Sequence, residues 1–221
     1  MTDKIIPENP LPIVILISGY GSNLQAIIEA VHNGEMPVVI RGVISNRPDV
    51  YGLVRAKMAD IPTRVIDHTN YQNRQLFDNA LLDAIDGFQP ALVILAGFMR
   101  ILGPDLIKHY RCRMMNIHPS LLPAYPGLNT HQRVLDAGEH EHGVSVHFVT
   151  SELDNGPVII RARTSVMPGD NAKTLATRIQ ALEHRIYPLA IKWFAEGRLE
   201  CIDNKLFMEQ KPLDTPIEYK T

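Results

Sequence analysis

Asn116 and His118 stand two apart at the end of a hydrophobic run and open the segment NIHPSLLPAYPG, residues 116–127. On an extended strand that spacing points both side chains to one face. A carboxamide N–H and an imidazolium N–H aimed at one point suit a developing oxyanion, and imidazole also moves a proton near neutral pH. The pair therefore points to acyl transfer without a covalent enzyme nucleophile. Pro119, Pro123, Pro126 and Gly127 restrict the loop just beyond it, as a preorganised site requires.

Other residues carry chemistry at a distance in the chain. Gly19-Tyr20-Gly21-Ser22-Asn23-Leu24 follows an aliphatic run and opens a helical pattern, so its free N–H groups suit a phosphate. Leu24 replaces the third glycine of a dinucleotide fingerprint, which removes that reading. Gln180 and Glu183 are three apart on a long helical pattern and share a flank beside its apolar stripe. Asp154 lies in a turn with Asn155, Gly156 and Pro157. Placed beside His118, its charge favours the imidazolium that donates to an oxyanion. His140 and His142, with His131 and His147 near them, invite a metal reading, but two histidines two apart in a charged turn do not make a site, and none is expected. His147 shares a strand face with Ser145 and is expected to support His118 structurally.

The elements that must position these groups follow from the hydrophobic pattern. Residues 11–17, 38–45, 91–96 and 113–117 read as strands, the first and third as aliphatic as strands buried on both faces. Between them lie helical patterns: one opened by Ser22 or Asn23 as cap, a short one after Asp49, and one over 71–86 with Leu76, Phe77, Ala80, Leu81, Ala84 and Ile85 on its apolar face. Alternation of this kind predicts an α/β fold, a doubly wound, mostly parallel Rossmann-like sheet whose ligands lie beyond the strands' carboxyl ends. After Gly143 apolar and polar residues alternate, and 157–163 forms a second extended run. These predict a β-ribbon, followed by a long helix over 171–196 with a kink near Pro188.

The chain has 221 residues, 45% hydrophobic and 21% charged, with a formal net charge of −2. That is enough for one substantial core, and no basic excess points to nucleic acid. The expected organisation is a leader over 1–10, a domain over 11–197 and a tail over 198–221, polar from Cys201, that no pattern assigns. Cys112 and Cys201 match neither a zinc spacing nor a disulfide framework, no run approaches a membrane span, and the start lacks signal-peptide character. A cytoplasmic protein, monomer or homodimer, is expected.

Four blocks in order resemble the formyltransferases that use 10-formyltetrahydrofolate: ISGYGSNLQ (17–25), LAGFMRIL (95–102), the 116–127 segment, and HGVSVHFV (142–149) continuing into LDNGPV (153–158). The resemblance is strongest to the members acting on glycinamide ribonucleotide and spans about residues 11–197. It implies direct attack of that substrate's amine on the formyl carbon, with His118, Asn116 and Asp154 catalytic. It further implies that Gly21, Ser22 and Asn23 hold the phosphate and that Gln180 and Glu183 bind the glycinamide portion, the carboxylate attracting its ammonium group. Arg74, Met99, Arg100, Ile101 and Leu102, together with Asn116 and Asp154, would receive the folate, and no metal is used. Tyr20 stands where a small polar residue is expected and Asn155 where a glycine is. The other formyl-folate enzymes, which act on tRNA or hydrolyse the folate, carry an additional domain for which this length leaves no room. A non-catalytic nucleotide-binding module of the same architecture would not need Asn116, His118 and Asp154 together.

Overall fold

The computed structural model describes residues 9–220, so the predicted leader lies almost wholly outside the described residues. Strand β1 (Leu11–Ile17) leads through the glycine turn into α1 (Ser22–His32), followed by β2 (Val38–Ser45), α2 (Tyr51–Met58), β3 (Thr63–Val65) and α3 (Arg74–Asp86). Next come β4 (Leu92–Leu95), α4 (Pro104–His109), β5 (Met114–His118), α5 (Thr130–Asp136), β6 (Glu141–Phe148), β7 (Val158–Ser165) and α6 (Ala172–Ala195). The chain ends in β8 (Leu199–Ile202), β9 (Lys205–Met208), β10 (Lys211–Pro212) and β11 (Ile217–Tyr219).

Eight strands form one sheet in the order β11-β7-β6-β5-β4-β1-β2-β3. The neighbours from β3 to β5 are parallel, while β5–β6 and β6–β7 are antiparallel. The carboxyl ends of β1, β4 and β5 therefore lie along one edge, which brings three of the recognised segments together. Strands β1 and β4 are buried on both faces, as their unbroken aliphatic runs require. Ile13, Ile15, Ile17, Ile94, Met115, Ile117 and Val146 pack on one face with Ile179, Ile186 and Ile191 of α6. Val14, Leu16, Val93 and Met114 pack on the other with Phe77, Leu81 and Ile85 of α3.

Several boundaries differ from the sequence expectation for local reasons. Neither Ser22 nor Asn23 caps α1; the cap is Gly21 in left-handed geometry, and both residues fall inside the first turn. Helix α3 begins at Arg74 because the Asn73 side chain accepts from the Leu76 N–H, and Leu76 is exposed rather than part of the apolar face. Helix α6 is assigned continuously through Pro188, which lacks a donor for the His184 carbonyl. Its first turn is closed by a capping box between Asn171 and Thr174. The unassigned tail is ordered: β8, β9 and β10 make a small antiparallel sheet, and β11 extends the main sheet beside β7. Glu218 of β11 pairs with Arg161 and Arg163 of β7 and fastens that edge.

Candidate active site

Strand β5 presents the candidate pair because its alternation separates two environments. Met115 and Ile117 face the α6 side of the core, so Asn116 and His118 point to the opposite face. The antiparallel register sets Asn116 opposite His147 and His118 opposite Ser145, which gathers four polar side chains on that face. The β6–β7 loop folds back over it and delivers Asp154. Its Oδ2 lies 3.5 Å from His118 Nδ1 and its Oδ1 lies 3.8 Å from His147 Nε2, all three side chains being largely buried.

Hydrogen bonds decide the protonation pattern. His147 Nδ1 lies 2.9 Å from the Phe148 carbonyl, which can only accept, so the proton sits on Nδ1. Burial pushes the His147 imidazole down and keeps it neutral. Its bare Nε2 then accepts from Asn116 Nδ2 at 3.1 Å. This contact fixes which end of the Asn116 carboxamide is the donor and leaves its second N–H for a ligand. His118 Nε2 donates to the Tyr125 carbonyl at 2.9 Å, so its Nδ1 is the nitrogen turned to the carboxylate.

The proline-rich loop is held from below. Ser145 Oγ donates to the Ser120 carbonyl at 2.7 Å and accepts from the Leu122 N–H at 3.1 Å, and the Leu122–Pro123 peptide is cis. Asp154 Oδ2 accepts from the Gly127 N–H at 2.8 Å, locking the two loops together. The left-handed residue of the second loop is Asp154 itself, φ 50°, whereas Asn155 does not have positive φ. Asn155 therefore does not need the left-handed freedom of a glycine, because the left-handed position is one residue earlier.

At the end of β1, Gly21 has φ 74°, and a Cβ there would sit 2.7 Å from the Gly52 Cα at the start of α2. Glycine is required by backbone angle and by packing alike. Asn23 Nδ2 donates to Glu183 Oε2 at 2.7 Å, and Gln180 Nε2 donates to Ser22 Oγ at 3.0 Å, so the flank of α6 is stitched to the first turn of α1. Glu183 is not on a solvated face: burial raises its carboxyl above the ordinary value. Asn23 Oδ1 is buried without a partner among the described residues, which leaves an acceptor beside that carboxylate. Ser22 and Gln180 open on a groove of about 770 Å3 between α1 and α6 that also includes Arg55. Tyr20 stacks on Tyr51 at 5.1 Å with the Arg55 guanidinium over both rings, so the bulky ring packs against α2.

The loop after β4 divides its side chains between core and solvent. Phe98 and Leu102 are buried in the core, while Met99 and Ile101 are 67% and 63% exposed and Arg100 is exposed as well. Arg74 does not reach free into a cleft: its Nη2 donates to the Leu102 carbonyl and its Nε lies 3.4 Å from Asp78. It anchors the loop by its backbone. Ser18, just beyond β1, does the same, accepting from the Met99 N–H at 2.7 Å and donating to Asn46 Oδ1 at 2.5 Å. Beside this loop Ser18, Asn46, Arg47, His68, Met99 and Arg100 line a cleft of about 440 Å3.

A family model described as formyl transferase matches residues 11–191. The chain belongs to the formyl transferase family. Its sequence is 49% identical over 201 residues to the phosphoribosylglycinamide formyltransferase of Escherichia coli, covering 91% of this chain and 95% of that protein. It is 42% identical over 192 residues to the human trifunctional purine biosynthetic protein adenosine-3, of which the match covers 19%. The structure superposes on the Coxiella burnetii phosphoribosylglycinamide formyltransferase, solved with CHES, with TM-score 0.91 and 55% identity over 96% of this chain and all of that one. A glycinamide ribonucleotide transformylase from Symbiobacterium toebii gives TM-score 0.88 at 42% identity, covering 91% and 95%.

Within this formyl transferase, sequence reasoning missed the groups that hold the candidate residues rather than the candidates themselves. His147 was expected near His118, yet its hydrogen bond goes to Asn116. Its position opposite Asn116 depends on the β5–β6 register, which no local pattern announces. Tyr187, fully buried on α6, reaches the Leu95 and Met115 carbonyls at 3.0 Å each and ties α6 to two site-bearing strands of the formyl transferase sheet. An apolar stripe containing a tyrosine was the only signal. His131 and His142 do meet, Nδ1 to Nε2 at 3.0 Å, as a hydrogen-bonded pair.

Proposed function

We propose that this formyl transferase moves the formyl group of 10-formyltetrahydrofolate to the amine of glycinamide ribonucleotide, giving formylglycinamide ribonucleotide and tetrahydrofolate in purine synthesis. The cluster of Asn116, His118 and Asp154, fixed on one sheet face by His147, carries this reading. Identity to proteins named for that reaction, over nearly their whole length, supports it. Both substrates are small molecules, and none of the helices among the described residues is long and apolar enough to cross a membrane. The proposed setting is the cytoplasm, with no metal in the reaction.

The substrate amine attacks the formyl carbon directly. The second N–H of Asn116 and the Nδ1–H of His118 donate to the tetrahedral oxyanion, each such donor contributing roughly 3–4 kcal/mol. The 3.5 Å separation between His118 and Asp154 is loose enough for an oxygen to be received there. The proton leaving the attacking nitrogen passes to the folate nitrogen through His118 or a water held by Asp154, a gain of about 10²–10⁴ in rate. Phosphate binding falls to the backbone of Gly21, Ser22 and Asn23, and the ammonium end to Glu183 with Gln180 beside it. Asn23 Oδ1 supplies a further acceptor there. The folate occupies the side of the Met99–Leu102 loop, with Arg74 and Arg100 at its rim. Purified protein supplied with both substrates should produce the absorbance of the deformylated folate, dependent on each. No turnover with folded protein would remove the proposal.

A further inference from the structure

Cys112 and Cys201 are 89 residues apart in the chain, yet their Sγ atoms lie 2.7 Å from one another. Both are free thiols of intermediate burial. Cys112 sits in the turn between α4 and β5 with φ 58°, a left-handed conformation that few non-glycine residues adopt. Cys201 lies in β8, opposite Leu206 of β9. The turn joining those strands grips the Cys112 segment: Asp203 pairs with Arg111 at 3.2 Å, and Asn204 Oδ1 lies 3.9 Å from Cys112 Sγ. The contact is therefore made between the turn at Cys112 and strand β8, with the β8–β9 turn locked against the Cys112 segment.

We propose that Cys112 and Cys201 form a reversible disulfide, by exchange with a small-molecule disulfide, that staples the C-terminal sheet to the start of β5. The Cys112 thiolate attacks one sulfur of the small disulfide, breaking its S–S bond and releasing one thiolate. Cys201 gives up its proton and attacks Cys112 Sγ in the mixed disulfide, forming the Sγ–Sγ bond and releasing the second thiolate. The protein's two thiol protons end on the two small thiols, which carry away the two electrons. Cys112 reacts first because exposed Arg111 and Arg113 flank it and draw an anionic reagent such as oxidised glutathione. Cys201 resolves, since burial and the neighbouring thiol raise its thiol well above the usual range and make it a poor first nucleophile. The bond lies at the entry of β5, whose other end carries Asn116 and His118, so it leaves those groups in place. Closing so long a loop restricts the unfolded chain more than the native one.

The full chain is incubated with oxidised glutathione, quenched in acid, alkylated under denaturing conditions, and read by intact mass and by a non-reducing peptide map. Expected are the loss of two hydrogens, a peptide joining Cys112 to Cys201, unchanged turnover, and a thermal midpoint higher by about 5–15 °C that reductant reverses. Cys201→Ser should stop at a glutathione adduct on Cys112, while Cys112→Ser should react at least about tenfold more slowly. Two alkylatable thiols after oxidation, or lasting glutathione adducts on both cysteines of the unmodified chain, would overturn the proposal. A cross-linked protein with an unchanged midpoint would overturn the staple.

Discussion

Asn23 and Glu183 lie 160 residues apart and meet side chain to side chain at 2.7 Å, Nδ2 to Oε2. The turn assigned to the substrate phosphate and the carboxylate assigned to its ammonium group are thus one mechanical unit. Glu183→Gln keeps an acceptor for Asn23 but removes the charge. The apparent KM for the ribonucleotide should rise about 10–100-fold, with folate-analogue affinity and thermal midpoint nearly unchanged. Because burial raises the Glu183 carboxyl, ribonucleotide binding should weaken on acidification at a higher pH than an ordinary carboxylate dictates. The glutamine variant should lose that dependence. Equal losses for both ligands in calorimetry would refute the assignment.

The sheet was legible because aliphatic runs such as residues 11–17 and 91–96 admit little besides buried strands, and the helices between them keep a 3.6-residue period. The candidate pair Asn116 and His118 was legible because both lie on one strand. What escaped depends on contacts between distant segments. Gln180 and Glu183 read only as neighbours on a helix flank until Asn23 is placed against Glu183, and the bond from Arg74 to the Leu102 carbonyl exists only once helix and loop are folded together. Gly21 reads as part of a turn whose N–H groups suit a phosphate, whereas the approach of Gly52 in the next helix, which also demands a glycine there, has no local signal. Cys112 and Cys201 carry no spacing signal, because a turn and a strand meet only in the folded tail.

The folate loop offers a direct test. Ile101 is 63% exposed, so a charge there costs little stability, and any loss is a loss of ligand contact. Ile101→Asp should abolish calorimetric binding of a folate analogue while the ribonucleotide still binds. Retained folate affinity would place the pterin elsewhere.

His147 should act through Asn116. In His147→Leu the Asn116 N–H loses its acceptor and the carboxamide is free to turn over, at a stability cost of about 1–3 kcal/mol. Turnover should fall about 10–100-fold with both KM values little changed. A merely structural histidine would lower the midpoint and leave kcat of the folded fraction intact.

His131 and His142 share one hydrogen bond, so one ring must accept and both cannot be charged without setting N–H against N–H. Burial lowers the His142 imidazole from 6.5 to about 4. The unfolded chain binds that proton first, so the neutral ring's contribution is complete above about pH 6.5 and is lost as pH falls toward 4. Thermal midpoints should drop across that window by the equivalent of about 1–3 kcal/mol. His142→Gln should flatten this limb, and an unaltered limb in that variant would assign acid sensitivity elsewhere.

The partnership of His118 and Asp154 has the most specific signature. The carboxylate lies 3.5 Å from the imidazole and orients it, so Asp154→Asn should lower kcat about 10–100-fold with both KM values little changed. His118→Ala should fall by about 10²–10⁴ in kcat. If the two residues act as one unit, the double variant should be little worse than His118→Ala, because residue 154 then has no ring left to orient. Gly127 also donates to Asp154, so the asparagine must keep that acceptor, and the thermal midpoint of each variant is measured before any rate is interpreted. Losses that multiply independently in the double variant would separate the two residues.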